Sequence, residues 1–391
     1  MKDPVRSNKA CPGDDNRTKD PKSTTLVHEQ QPNLRYIFLT SFILILVSCY
    51  LYPCILVRQE NRRSKMMTSR TSRYSNFAGA ISEKVQNDRF WLEGDKSHWY
   101  HVEFREIRDV SKDLGVDADD IVSKFVQLDA DEDTKLFIQQ SIAKADQILM
   151  QMWHNLAKTV LKRFFGYTQT DINGYLRRGS MFVISTSQFI LMREKAGLQT
   201  NLDNPEGSLI DLGAGDGQPT DNLRPFYKDT YATEASWAMR DILKEKNVKV
   251  LDIDDWDVDN DLQRSFDAIA CLNLLDRCEN PISILRRIKK ALKPGGILLI
   301  AIVLPFNPYV EFNSSHEPVE KLLELNSEHL QSNEDSKYTF EKQVPSVVKT
   351  LQQEGFSIDA WTRVPYLCEG DMGQSLYFLS DAVFLCTLNE K

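Results

Sequence analysis

From residue 208 onward the chain alternates short apolar stretches with amphipathic ones, and this rhythm limits the fold more than any other feature. "SLIDLGAG", "DTYATEAS", "VKVLDID", "FDAIACLN" and "GGILLIAIV" each read as a buried strand, and stretches such as "WAMRDILKEK" and "PISILRRIKKAL" between them read as helices. Strands that alternate with helices predict a mainly parallel sheet covered on both faces, because parallel neighbours need a crossover long enough to hold a helix. Two further strands, "FSIDAWTRVPY" and "SDAVFLCTL", have no helix between them, which predicts an antiparallel pair at a sheet edge.

Upstream, from about residue 76 to 200, the pattern is mostly helical. In "FIQQSIAKADQILMQMWHNLAKTVLKRFF" the stripe Ile138, Ile142, Ala145, Leu149, Met152 reads as core packing rather than a cofactor box. Residues 1–35 are polar, proline-containing and without hydrophobic periodicity, which predicts a disordered tail. Residues 36–57, "YIFLTSFILILVSCYLYPCILV", carry no charge over 22 positions, and a helix of that length spans roughly 33 Å, about one bilayer core. A cleaved signal peptide is the competing reading, but the apolar run starts late, is long, and has no A-x-A-like site after it.

Arg58, Arg62, Arg63, Lys65, Arg70 and Arg73 follow the apolar run, against Lys22 and Arg35 before it, so the positive-inside rule predicts a single-pass protein with its C-terminal bulk in the cytosol. Such an anchor suits the endoplasmic reticulum membrane, with mitochondria as the other reading. The expected division is a tail (1–35), a transmembrane segment (36–57), a basic linker (58–75), a helical region (76–200) and a sheet-bearing domain (201–391), the last two forming one unit.

A net charge of −8 and a pI near 5.4 argue against a nucleic-acid partner gripped through a basic surface. The seven cysteines show neither CxxC pairs nor Cys/His spacing for zinc, so free thiols in a reducing compartment and no metal are expected.

The strongest local signal is "LIDLGAGDG", residues 209–217. Glycines at 213 and 215 after a strand let the backbone turn tightly and approach a ligand. A dinucleotide loop would need a small residue at Gln218 and a P-loop would need Gly-Lys-Ser/Thr; neither is present. Asp211 and Asp216 make a poor cradle for pyrophosphate but suit a ligand with an ammonium and a sulfonium. Glu234, 23 residues after Asp211 at the end of the next strand, can accept both hydroxyls of a ribose. In the acidic run "DIDDWDVDND", Asp254 or Asp255 can accept from an adenine amino group, while most of the run reads as solvated loop and lacks the glycine and glutamate of a calcium loop. Beyond the fourth strand, "CLNLLDRCENP" carries Asn273 and Asp276. They either border the ligand site or, for Asp276, cap a helix or pair with Arg277 or Lys289.

The acidic strand ends, the Gly-x-Gly turn and "LKPGGILLI" resemble the seven-stranded Rossmann-like methyltransferases that use S-adenosyl-L-methionine. In order, "YLRRGSMFVIS", "DLGAGDG", "YATEAS", "CLNLLDRCENP", "IVLPFNPYVE" and "TRVPYLCEGDM" resemble the methyltransferase-like protein 9 family, also called DORA reverse strand protein, over about residues 76–390. That resemblance implies a protein-histidine N-pros-methyltransferase acting on His-x-His sequences with a small x. It implies cofactor contacts from Asp211, Gly213, Gly215, Glu234, Asp254, Asn273 and Tyr366, and catalytic or substrate contacts from Asp276, Asn273 and Tyr377. For both tyrosines the plain alternative is sheet-edge packing. Arg178, Gly179 and Ser180 are expected over the methionine end of the cofactor. "PFNPY" has one proline too few for the Asn-Pro-Pro-aromatic motif and follows the fifth strand, so it reads as a loop near the substrate mouth. A membrane-bound small-molecule or lipid methyltransferase and an inactive methyltransferase-shaped scaffold remain the other readings.

Overall fold

The computed structural model describes residues 84–389 except 85, 260, 261, 264, 312, 314, 324–338 and 372. These residues belong to one compact unit, Phe77–Lys391. The expected tail, transmembrane segment and basic linker lie outside the described residues; among those described, no helix is long and apolar enough to cross a membrane.

The strands are β1 (Met181–Phe182), β2 (Ser208–Leu212), β3 (Asp229–Thr233), β4 (Lys249–Leu251), β5 (Val258–Asp259), β6 (Leu262–Gln263), β7 (Phe266–Leu272), β8 (Leu292–Val303), β9 (Phe356–Glu369) and β10 (Leu376–Leu388). Eight of them form one sheet in the order β1-β9-β10-β8-β7-β2-β3-β4, and β5 with β6 makes a separate two-stranded ribbon inside the acidic run. β2, β3, β4, β7 and β8 pair in parallel, and β10 is antiparallel to both β8 and β9.

The helices used below are α1 (Phe104–Leu114), α2 (Ala118–Ser123), α3 (Glu132–Ala145), α4 (Ile148–Val160), α5 (Gln169–Tyr175), α6 (Thr186–Lys195), α7 (Gln218–Leu223), α8 (Trp237–Glu245), α9 (Pro281–Ala291) and α10 (Phe340–Gln353). Period-two alternation in the strands feeds two apolar layers. Ile210, Leu212, Ile269 and Cys271 join one with Leu285, Ile288 and Val347, while Leu209, Ala268 and Ala270 join the other with Phe189 and Leu299. A strand apolar on both sides is what a helix-covered parallel sheet requires, and each fully buried leucine or isoleucine contributes about 1.5–3 kcal/mol.

Three expectations need correction. The antiparallel pair β9–β10 lies inside the sheet, between β1 and β8, and not at its edge. The sheet has eight strands rather than seven, because "RRGSMF" adds β1 at the edge, with Met181 opposite Cys368 and Phe182 opposite Leu367. Two residues are too few to show a period, and β1 is held by contacts distant in sequence: Arg178 Nε lies 2.7 Å from the buried Glu369 carboxylate, and Glu369 N–H donates to Ser180 O at 2.8 Å. Arg178 is therefore committed to an ion pair at the end of β9.

The helical stripe also breaks. Ile138, Ile142 and Ala145 are buried, but Leu149 is 84% and Met152 57% exposed. The chain leaves the helical path at Asp146–Gln147, which resets the phase between α3 and α4 so that Gln151, His154 and Ala157 turn inward instead.

Candidate functional site

The parallel strands all end on the same side of the sheet, and β2 sits between β3 and β7 where the chain order reverses, the usual place for a ligand crevice. After Leu212 the backbone turns through Gly213 and Gly215, at φ 71° and 57°. A Cβ at Gly213 would stand 3.0 Å from Leu274 Cδ1, and one at Gly215 3.2 Å from Met181 Cε. The turn is thus walled by the loop after β7 on one side and by β1 on another, and glycine is what fits between them.

Backbone donors fasten this turn to β3. Gly213 N–H donates to Thr233 Oγ1 at 3.2 Å, Ala214 N–H to Thr233 O at 3.0 Å, and Gly215 N–H to Glu234 Oε2 at 2.9 Å. The other oxygen of Glu234 accepts from Ser236 N–H at 2.8 Å. Burial raises the Glu234 carboxyl above its ordinary range, and these backbone N–H groups oppose that rise. Beneath the turn, Asp211 is buried; its Oδ2 accepts from Thr220 Oγ1 of α7 at 2.5 Å and its Oδ1 has no partner among the described residues. Burial, with the Glu234 charge nearby, pushes the Asp211 carboxyl up to about 7.

On the other side of the crevice, β7 ends at Leu272 and Asn273 takes the left-handed backbone at φ 55°, which asparagine tolerates better than most residues. Its N–H donates to Ala301 O at 3.0 Å, and its Nδ2 donates to Asp381 Oδ2 at 2.7 Å. A turn closed by Arg277 N–H on Leu274 O at 2.9 Å then carries Asp276 inward. Asp276 is 2% exposed; Arg277 Nε holds its Oδ2 at 3.0 Å while its Oδ1 has no partner among the described residues.

The capping alternative for Asp276 fails, since α9 begins at Pro281 after Asn280. The Arg277 pair is formed, and Lys289 instead donates to Glu354 O at 3.1 Å. Burial raises the Asp276 carboxyl and Arg277 pulls it back; the buried Asp381 is held well above its usual range by burial, with repulsion from Asp276 adding to the effect.

Tyr366 belongs to the same neighbourhood. Its hydroxyl lies against Met181 Sδ, and burial together with the charges of Cys368, Asp381 and Asp276 holds its phenol far above the ordinary value. Tyr377 is 44% exposed, pairs with Cys368 across β9 and β10, and its hydroxyl is 3.4 Å from Asp371 Oδ2. It shares a side of β10 with Asp381, four residues and roughly 13 Å along the strand. Asp254 stands in an exposed turn after β4, with its carbonyl oxygen accepting from Arg287 Nη2 at 2.7 Å. The "PFNPY" loop reaches the site, as Tyr309 N–H donates to Asp276 O at 2.8 Å and its ring stacks on His316 at 4.8 Å between centroids.

Residues that sequence reasoning passed over are Asp381, Thr220 and Met181. Asp381 did leave a signal: a carboxylate at the head of "DAVFLC", inside a run that otherwise reads as buried strand.

A model of the DREV methyltransferase family matches residues 113–388. Among solved structures, the chain is similar to an S-adenosylmethionine-dependent methyltransferase from Clostridium acetobutylicum, at 14% identity over 61% of this chain and 100% of that one, with a TM-score of 0.33. It is similar to a ribosomal protein L11 methylase from Lactobacillus delbrueckii, at 13% identity over 48% and 72% of the two chains, with a TM-score of 0.28. A precorrin-6y C5,15-methyltransferase from Geobacter metallireducens matches at 15% identity over 50% and 84%, with a TM-score of 0.28.

Proposed function

This chain belongs to the DREV methyltransferase family, the DORA reverse strand or methyltransferase-like protein 9 family, and from that premise we propose that it is a protein-histidine N-pros-methyltransferase that uses S-adenosyl-L-methionine and acts on His-x-His sequences with a small x. The observation that carries the reading is the free, buried Oδ1 of Asp276 at the carboxyl end of β7, with the companion oxygen already engaged by Arg277.

The residues around the glycine turn fit the cofactor. Gly213 and Gly215 leave no Cβ in the crevice, Glu234 offers remaining lone pairs to ribose hydroxyls, and Asp211 keeps an unpartnered oxygen below the turn. When bound, S-adenosyl-L-methionine supplies an electrophilic methyl group on a sulfonium. Tyr366 covers the cofactor in this reading, Asp254 meets the adenine, and Tyr377 meets the substrate from the rim.

Neutral imidazole carries one N–H and one lone pair. A carboxylate at Asp276 that accepts the tele N–H fixes the tautomer and leaves the pros nitrogen as nucleophile. The same carboxylate then stabilises the positive charge that the ring acquires. Burial is what raises the Asp276 carboxyl, and a ring that becomes positive beside it would favour the ionised form and draw it back down. Partners are accordingly proteins presenting His-x-His, and the apolar run 36–57 would hold the chain at the endoplasmic reticulum membrane with the catalytic unit in the cytosol.

The test is to incubate the full chain with isotopically labelled cofactor and a His-Ala-His peptide and to map the methyl group by mass spectrometry. Methyl on the pros nitrogen is the expected product; a peptide left unmodified while lipid extracts accept the label would favour the small-molecule alternative. Asp276→Ala should lower kcat about 100-fold or more and leave cofactor affinity within about threefold. Full turnover in that variant would end the role given to the carboxylate.

A further inference from the structure

Asp381 lies fully buried on β10, directly before the apolar run Ala382, Val383, Phe384 and Leu385. A carboxylate in a strand interior gives up its hydration and packs no apolar surface, so its place there calls for a polar partner. That partner is Asn273, whose Nδ2 donates to Asp381 Oδ2 at 2.7 Å.

An asparagine side chain has a donor end and an acceptor end, and the group behind it decides which one faces forward. With a carboxylate behind, the NH2 end is recruited and the oxygen turns toward the site. Asn273 Oδ1 is indeed buried and without a partner among the described residues, as is Asp276 Oδ1 three residues on. The backbone admits little freedom: Asn273 is held at φ 55° with its N–H on Ala301 O at 3.0 Å. Three strands therefore converge on one amide, with β7 supplying it, β8 fixing its backbone and β10 fixing its side chain.

We propose that Asp381 is a positioning residue: it turns the Asn273 amide so that its oxygen, with the free oxygen of Asp276, forms a pair of acceptors for a ligand group that brings N–H donors. That the group is a histidine ring rests on the function proposed above; the orientation of Asn273 does not. A pair of acceptors favours an imidazole N–H, and more so its methylated imidazolium. It disfavours an acceptor that offers only lone pairs.

The test uses the full chain with Asp381→Leu, Asp381→Asn, Asn273→Ala and the double variant Asn273→Ala/Asp381→Leu, reading kcat on the peptide and cofactor affinity by calorimetry. Asp381→Leu should lower kcat about tenfold or more, as expected when the hydrogen bond that fixes the amide is lost. In the Asn273→Ala background the same change should cost less than about twofold, because a residue that acts through another has no effect once the other is gone. Asp381→Asn can turn its own amide oxygen toward Asn273 and should restore activity to within about fivefold of wild type. Multiplicative losses, or a wild-type kcat in Asp381→Leu, would overturn the proposal. If Asp381→Leu does not fold, the decision passes to selective 15N-asparagine labelling with Asp381→Ala and Asp381→Asn. The Asn273 side-chain NH2 signals should be protected from exchange in wild type and Asp381→Asn and exposed in Asp381→Ala; equal protection in all three would refute it. That readout needs no methyl transfer, so a wild-type chain inactive on histidine would remove the substrate reading and leave the positioning role to be judged by itself.

Discussion

Asp211→Asn should make the cofactor-free chain less sensitive to pH, for a reason visible in the geometry. Asp211 is 1% exposed and has one oxygen on Thr220 Oγ1 and one with no partner among the described residues. Its carboxyl is pushed from 3.8 to about 7, chiefly by burial. Below pH about 4 the folded and unfolded chains both carry the proton and the group is neutral with respect to stability. Between about 4 and about 7 the unfolded chain has released a proton that the folded chain still holds, so stability falls as pH rises. Above about 7 the loss is complete, at roughly 4 kcal/mol.

Asparagine keeps an acceptor for Thr220 and cannot ionise, but its NH2 replaces the unpartnered oxygen at a cost of about 1–3 kcal/mol at every pH. The pH-dependent part isolates the charge. From pH 5 to pH 8 the wild type should lose about 3 kcal/mol through this group and the variant none. At roughly 2 °C per kcal/mol for a chain of this size, the variant's Tm should gain about 6 °C on the wild type across that window. Scanning calorimetry of both proteins, without cofactor, at pH 5, 6, 7 and 8 measures it. A Tm difference that stays constant over the series would refute the argument that Asp211 is a buried carboxylate whose ionisation opposes folding.

Gly213→Ala must place a Cβ at φ 71° and 3.0 Å from Leu274 Cδ1; a left-handed alanine costs about 1–2 kcal/mol, and calorimetric titration should show cofactor affinity about tenfold weaker. Arg178→Met leaves the buried Glu369 with Lys144, at 3.3 Å, as its one ion-pair partner among the described residues, and should destabilise the chain by about 3–5 kcal/mol in denaturant unfolding. Arg178→Met combined with Glu369→Leu should recover much of that loss, since an apolar pair can replace a buried ion pair. Glu234→Gln should raise the KM for S-adenosyl-L-methionine while kcat at saturation stays within about threefold; a kcat loss as large as that of Asp276→Ala would place Glu234 in the chemistry instead.

The parallel part of the fold was legible because β7 and β8 are long apolar runs and the crossovers through α8 and α9 have helical period, whereas the β4–β7 crossover carries the β5–β6 ribbon in place of a helix. β2, β3, β4, β7 and β8 stand where "SLIDLGAG" through "GGILLIAIV" place them. The antiparallel pair was also legible, but its position was not: β10 lies inside the sheet, between β8 and β9, and β1 takes the edge. β1 depends on Arg178 meeting Glu369, which are 191 positions apart, and no local period encodes such a contact. The helical stripe misled for the opposite reason, because a period carried across Asp146 and Gln147 assumes a helix that does not continue. Among the candidate site residues, Asp211, Gly213, Gly215, Glu234, Asn273 and Asp276 stand at or just beyond strand ends, which is what the strand pattern alone predicts. What strand ends could not show is how each carboxylate is partnered, and that decides what each can do.

Glu234 and Asp276 illustrate the difference. Both are buried acids at strand ends, yet Glu234 has each oxygen on a backbone N–H, from Gly215 and from Ser236. Those donors are the same before and after any methyl transfer, so in the proposed reading Glu234 would offer a preset contact that binds a cofactor equally in ground and transition states, and uniform binding does not raise kcat. Asp276 keeps one oxygen on Arg277 and the other without a partner, in a setting where burial disfavours its charge. Such a carboxylate interacts most strongly with a group that becomes positive beside it, which is a gain made in the transition state rather than before it. Arg277 has a specific part in this: its charge opposes the effect of burial on Asp276, and its contact with Oδ2 leaves Oδ1 without a partner among the described residues. In the function proposed above, the partnering of each carboxylate thus separates the groups that would hold the methyl donor from the one that would respond to the reaction.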